Sequence, residues 1–504
     1  MSLKKQAAPL RRSIQHSRTL TRSYISRLPP ELLLEIFESC LPPFPLSHSD
    51  QVSFHPYIPH HTDNDIYTGV DTFVAVKLSH VSRAWRSLTL SNPKLWSRII
   101  ILAKSTDKLS HPWETTPSRL INALTHFLKH SQEHPLQILF QSIYSNKDTL
   151  RILHPLKLLF DQSRRWDRVH FSLFGTQIAR LIFPTLFPLL RSFTLYNEAG
   201  FWATVPPVFS APRLELLRLK RLDIADTDFH RAYPHLVDLS MAHYEVSECI
   251  SALATASPSM SMTFKNMYLG SDVPNLTPII SLASELRVES NDDFQSGFVE
   301  ALESLLGQIS SMLSLHTLAF TKSPAQLGLF PTTAFKSFLS RRQASDSAIT
   351  QLLLGQWMLD RNLGLIEVLT LLPSLTHLTL DECPPSRDVI RSVNAQRLIS
   401  DQLLRALELP ALESESDMEI TCLLPRLTHL SLSFFDFEGG CNFQILLSMI
   451  QSRRSPARIT ATRVARLQQL EITTAPELLA AEDREILLAL REGDFDVQCR
   501  VICY

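Results

Sequence analysis

The chain has 504 residues, and its 49 Lys plus Arg nearly balance 50 Asp plus Glu to leave a net charge of −1, so it carries no global electrostatic footprint for nucleic acid. Its 12 glycines include no G-x-G pair; this argues against Rossmann and P-loop sites, where bare backbone must approach phosphates closely. Leucine is in excess at 84 residues, so a large core and internal repetition are the first expectations.

The first 30 residues carry seven basic side chains (Lys4, Lys5, Arg11, Arg12, Arg18, Arg22, Arg27) and no acid. With few apolar residues and no helical stripe, residues 1–23 read as a disordered basic tail; a transit peptide or a nuclear or nucleic-acid contact shares the same bias. Residues 28–41 then read as a helix. Proline suits the first turn, Glu31 lies at the favourable end of the dipole, and Pro42, Pro43 and Pro45 stop it. Leu32, Leu33, Ile36, Phe37 and Cys40 form one apolar stripe. After residues 42–71, rich in Pro and His, comes a second amphipathic segment. There Val74, Leu78, Val81, Trp85 and Leu88 step by 4, 3, 4 and 3 along a single ridge that ends at Asn92-Pro93, as one helix would place them. Leu95-Trp96 and Ile99–Ile101 lead into a strand-like run. Two short helices cannot bury this much apolar surface alone, so part of it is expected to meet a partner.

The blocks Leu28-Pro29-x-Glu31-Leu32-x-x-x-Ile36-Phe37, Leu78-Ser79-x-Val81-Ser82-Arg83-Ala84-Trp85-Arg86-Ser87-Leu88 and Asn92-Pro93-x-Leu95-Trp96-Ser97-Arg98-Ile99 occur in that order. Together they resemble the F-box domain in the form common among mushroom-type fungi. The resemblance implies that residues 24–105 form an F-box-like domain that docks on a Skp-type adaptor of a cullin ubiquitin ligase. It assigns Leu28, Pro29, Leu32, Ile36, Phe37, Val81 and Trp85 as adaptor-facing or core-defining positions. The 42–71 insertion replaces the short link usual in that family, and lengthening a loop is thermodynamically cheap.

Beyond residue 105 the pattern P-x-L-x-x-L-x-L recurs strictly at Pro212/Leu214/Leu217/Leu219, Pro373/Leu375/Leu378/Leu380 and Pro425/Leu427/Leu430/Leu432, where chance predicts roughly 0.14 occurrences. Near matches stand at Pro188/Leu190/Phe193/Leu195 and Pro234/Leu236/Leu239/Met241. Weaker ones are Trp166/Val169/Phe171, Phe264/Met267/Leu269, Leu315/Leu318/Phe320, Ile349/Leu352/Leu354 and Leu467/Leu470/Ile472. L-x-x-L-x-L is the strand-forming core of a leucine-rich repeat. Helical stretches at Phe298–Met312, Leu363–Leu372, Phe443–Ile450 and Glu477–Leu490 fall between such strands. The expected fold class is therefore α/β: a small N-terminal helical F-box followed over 106–504 by an irregular leucine-rich-repeat solenoid of parallel strands alternating with helices. First-leucine spacings of 24, 24 and 22 stretch to 26, 52 and 40, with a loop insertion around 381–422. Alternating Val497, Cys499, Val501 and Cys503 suggest a final covering strand. Ser345, Ser414 and Ser416 lie in polar segments that would accept phosphate but are ordinarily just solvated.

Seven dispersed cysteines without C-x-x-C point to reduced thiols in cytoplasm or nucleus, and no apolar run reaches the length of a membrane span. His126, His130 and His134 share one helical face, which zinc would use, although an exposed histidine row is the plainer reading. His48, His55, His60 and His61 with Asp63 and Asp65 have no fixed frame. With no nucleophile or zinc motif in context, the chain is expected to catalyse nothing and to hold no cofactor or metal. The implied function is substrate receptor of a cullin-type ubiquitin ligase, holding the adaptor through the F-box and an unknown protein through the repeats. Its competitor is a leucine-rich-repeat scaffold without ligase association; a hydrolase hidden in the repeats is the third reading.

Overall fold

The computed structural model describes residues 25, 28–41, 44, 73–104, 117–143, 149–198, 202–204, 209–223, 228–270, 278–290, 297–323, 329–341, 348–360, 364–382, 395–409, 422–434, 442–455, 459, 464–474, 481–491 and 495–501. The chain divides into two compact units, Met1–Leu190 and Arg191–Tyr504. Both are mixed α/β.

In the first unit, α1 (Pro30–Ser39) has proline at its first position and Glu31 in its first turn. The Leu33 N–H reaches the Pro29 carbonyl at 3.1 Å and the Cys40 N–H closes the last turn on Ile36 at 3.0 Å. The ridge from Val74 to Leu88 is two helices, not one: α2 (Phe73–Ser79) and α3 (Arg83–Ser91). Local hydrogen bonding overrides the period. Ser82 is extended, and its hydroxyl accepts the Trp85 N–H at 3.1 Å as an N-cap. The Arg86 guanidinium donates to the orphan Ser79 carbonyl at 2.9 Å.

The strands β1 (Arg98–Lys104), β2 (Leu136–Ile143) and β3 (Trp166–Leu173) pair in parallel, with α4 (Pro117–Ser131) and α5 (Thr149–Phe160) in the crossovers. Their registers align Ile99, Ile138 and Val169 in one buried row and Ile101, Phe140 and Phe171 in the next. Phe44 is buried on Ile100 and Leu139, which point to the other face. Phe44 is the described residue of the segment from 42 to 71; the histidines and acids named there lie outside the described residues.

The second unit is an α/β solenoid-like ladder. Its strands are β4 (Ser192–Asn197), β5 (Leu216–Lys220), β6 (Asp238–Ala242), β7 (Ser261–Lys265), β8 (Glu285–Glu289), β9 (Thr317–Thr321), β10 (Gln351–Gly355), β11 (His377–Asp381), β12 (His429–Phe434), β13 (Gln469–Thr474) and β14 (Asp496–Val501). Each pairs in parallel with the next. Because alternate side chains share a face, the first inward position of each strand stacks on its counterpart: Phe193, Leu217, Leu239, Met262, Leu286, Leu318, Leu352, Leu378, Leu430, Leu470 and Val497 stand in one register row, all buried. The third positions, from Leu195 to Ile472, form a second buried row. Burying one such side chain is worth about 1.5–3 kcal/mol.

Later crossovers carry α6 (Val246–Ala254), α7 (Phe298–Gln308), α8 (Thr332–Ser340), α9 (Leu365–Thr370), α10 (Asp401–Leu407), α11 (Phe443–Arg454) and α12 (Ala481–Ala489). From α6 to α11 each helix packs on the next, a second layer in the order of the strands. Gly297, at φ 88°, starts α7 in a conformation that would strain a side chain. The fully buried Arg453 guanidinium donates to the carbonyls of Leu407, Leu423 and Leu424, so α11 ties the residues on either side of 410–421 together.

Two sequence readings are corrected. The strand at β7 uses Met262 and Phe264 as its inward pair, not Met267 and Leu269, since Met260 and Met262 are only two apart and the motif loses one residue. The helix expected over 298–312 ends at Gln308, and Ile309–Met312 pairs as a short strand with Ile279–Ser281. The last strand continues the parallel ladder, and Cys503 lies outside the described residues.

Candidate interaction surface

The stripe on α1 splits in two. Leu33 and Phe37, one turn apart, face inward and are buried, with the Phe37 ring 4.7 Å from that of Trp85. Leu32 and Ile36, also one turn apart and so on one face, are 45% and 44% exposed. Val81, in the turn between α2 and α3, is 60% exposed. Pro29 is exposed, while Leu28 and Trp85 are half-buried. Of the two roles the resemblance left to Phe37, adaptor-facing or core-defining, the second holds and adaptor binding is corrected: its ring packs on Trp85 and is fully buried within the chain. Ile25, 46% exposed and linked to Leu28 through its carbonyl, joins the open apolar set. Its place among basic residues hid it, although the steps Ile25, Leu28, Leu32 are helical in spacing.

The frame beneath these side chains is hydrogen-bonded through. Glu38 at the end of α1 pairs with Lys94 at 2.6 Å and accepts from Asn92 at 3.5 Å. This half-exposed pair contributes about 0–1 kcal/mol but fixes the helix end. The Trp96 indole N–H donates to the Thr89 carbonyl at 2.8 Å, at the end of α3. Its ring also meets His126 at 5.2 Å, Phe127 at 5.1 Å and His130 at 5.0 Å. The three histidines thus do not share one helical face: His126 and His130 on α4 cover Trp96, whereas α4 ends at Ser131 and His134, beyond it, contacts the Pro135 carbonyl through Nδ1. Burial, then His126 and Lys129, lower the His130 pKa. Among the described residues no three His, Cys, Asp or Glu side chains are placed to hold a metal ion.

In the second unit the outward strand face is polar. Arg218 lies 3.7 Å from Asp238, Arg287 pairs with Glu285 at 2.6 Å, and Lys265 pairs with Glu289. Burial raises the Asp238 pKa against the opposing pull of Arg218. Further along, His377 and His429 occupy matching register positions and stack at 4.0 Å with planes 11° apart. Burial and then His429 lower the His377 pKa. None of these residues was legible as a site in the sequence, because each is an unremarkable polar residue next to an inward-facing apolar one.

Among the described residues no helix is long and apolar enough to cross a membrane. Ser414 and Ser416, and Ser345, lie outside the described residues. No protein-family model matches the chain, and no curated protein matches it.

Proposed function

We propose that the chain is a substrate receptor of a cullin-type ubiquitin ligase: an F-box-like element in the first unit holds a Skp-type adaptor, and a leucine-rich-repeat array in the second holds a target protein. The observation that carries this reading is α1, which spends Leu33 and Phe37 on its own core and leaves Leu32 and Ile36 in solvent. Large apolar side chains four residues apart on an exposed helix face are the anchors by which a helix docks in an apolar groove. The three F-box-like sequence blocks supply the choice of adaptor, and the stacked L-x-x-L-x-L strands supply the repeat reading. Such a receptor makes and breaks no bonds itself. It raises the local concentration of target lysines near a charged conjugating enzyme, as a bivalent linker does.

The test is capture of the full chain by an immobilised Skp-type adaptor. Ile36→Ala is expected to weaken capture about thirtyfold, or about 2 kcal/mol. Unchanged capture by Leu32→Ala/Ile36→Ala, in protein that unfolds at the wild-type denaturant midpoint, overturns the reading.

A further inference from the structure

Two successive strands begin with the same dipeptide at the same place: Thr376-His377 leads into β11 and Thr428-His429 into β12. The register sets His377 beside His429 on the outward face, and their rings stack with planes 11° apart and centroids separated by 4.0 Å.

The threonines decide which ring nitrogen holds the proton. The Thr376 hydroxyl lies 3.0 Å from the Thr350 carbonyl and 2.8 Å from His377 Nδ1. The Thr428 hydroxyl repeats this, 3.1 Å from the Thr376 carbonyl and 2.8 Å from His429 Nδ1. A carbonyl can only accept, so each hydroxyl spends its single proton there and accepts in turn from Nδ1–H. In both neutral rings Nε2 is therefore a bare lone pair. Neither Nε2 has a partner among the described residues, and both keep contact with solvent.

Stacking accounts for the ring faces and the hydroxyls account for Nδ1, but neither accounts for two acceptor edges of matched tautomer left open side by side. Because the planes are so nearly parallel, the two lone pairs run alongside each other. A metal ion needs donors aimed at one point about 2.0–2.1 Å from each nitrogen, and no third His, Cys, Asp or Glu joins the pair. Parallel acceptors instead suit a planar fork of N–H donors, which a guanidinium supplies and the diverging donors of an ammonium do not. The charge of the surroundings favours a cation. Gln351 and Gln469 flank the pair in its row, Asp496 follows on β14, and the charged outward side chains of β10 to β13 are Asp381 and Glu471. No lysine or arginine stands on that stretch, whereas β5 to β8 set Arg218, Lys265 and Arg287 against acids.

We propose that His377 and His429 form a recognition site for an arginine side chain on a bound protein, whose guanidinium donates to both Nε2 atoms. The site rests on the target-binding role of the repeats and names the chemistry of part of that target. Protonating either ring turns an acceptor into a donor and sets a like charge against the guanidinium, so binding weakens on acidification. Burial, then His429, lower the His377 pKa, which keeps that ring in its acceptor form at neutral pH.

The test uses the full chain and fluorescein-labelled peptides of alternating glycine with arginine or lysine, followed by fluorescence anisotropy at pH 8 and pH 5. At pH 8 the arginine peptide is expected to bind saturably and at least about fivefold more tightly than the lysine peptide. At pH 5 its affinity should fall at least about fivefold. His377→Phe/His429→Phe keeps stacked rings, removes both acceptors and is expected to weaken binding about tenfold, whereas His235→Ala, an exposed histidine of the same unit, changes nothing. Should the phenylalanine variant fail to fold, His429→Ala is expected to weaken binding about threefold. Absence of saturable binding, equal affinity for the lysine peptide, affinity unchanged or raised at pH 5, full affinity in either histidine variant, or displacement by equimolar zinc would each overturn the proposal. Adaptor capture measured on the same samples separates the two claims: its retention alongside absent peptide binding fails this site alone, and the reverse outcome fails the ligase reading alone.

Discussion

Two helices carry the same apolar spacing and use it differently. In α1 the positions are Leu32, Leu33, Ile36 and Phe37; in α7 they are Ala301, Leu302, Leu305 and Leu306. All four of the second set are fully buried, covered by the ladder and its neighbouring helices. In α1 only Leu33 and Phe37 are buried. A stripe wide enough for two rows buries both rows only when something covers both, and within its own unit α1 is covered on one. The comparison teaches that periodicity identifies a greasy face without identifying who covers it.

The largest effects should fall on the covered rows. Phe37→Ala removes the ring packed on Trp85 and should cost about 3–5 kcal/mol of stability, measured by denaturant unfolding. Leu305→Ala on α7 should cost about 2–5 kcal/mol by the same measurement. If Ile36→Ala cost as much as Phe37→Ala, the two rows of α1 would be equivalent and the comparison would break. Its expected effect on stability is within about 0.5 kcal/mol, its main effect being the weakened adaptor capture.

The smallest effect concerns a spot where the ladder itself is incompletely settled. The Glu248 carboxyl titrates near 7 in the folded chain against an ordinary 4.5. A raised carboxyl pKa contributes stability in full below the unfolded value and loses it as pH rises through the folded one. Glu248→Gln keeps an acceptor for the Glu245 N–H and is expected to be more stable than wild type by about 1 kcal/mol at pH 8, after allowance for solvent screening. The two proteins should converge at pH 4, below the unfolded value. Denaturant midpoints at pH 8 and pH 4 check this, and a difference that persists at pH 4 would mean that packing, not charge, is responsible.

Much of the ladder was legible because leucine at fixed offsets is both the sequence signal and the physical cause of the stack. The strict motifs ending at Leu219, Leu380 and Leu432 all lie on strands in register with their neighbours. Strand β8 escaped notice because Ala283 stands where the first leucine belongs and Glu285, Arg287 and Glu289 mask Leu286 and Val288. The break between α2 and α3 was hidden by a ridge that continues through it, while the decisive signal was a single serine, Ser82. The open face of α1 was legible as apolar, but which half of it would stay open was not, since that depends on the distant Trp85.

The account depends most on Leu32 and Ile36 being a surface for another protein. Adaptor binding measured by calorimetry on the full chain, beside Leu32→Ala/Ile36→Ala of equal stability, tests it most directly. Saturable binding that falls at least about thirtyfold in the double variant is the predicted result. An adaptor that ignores the wild-type chain, or binds both proteins alike, would contradict it.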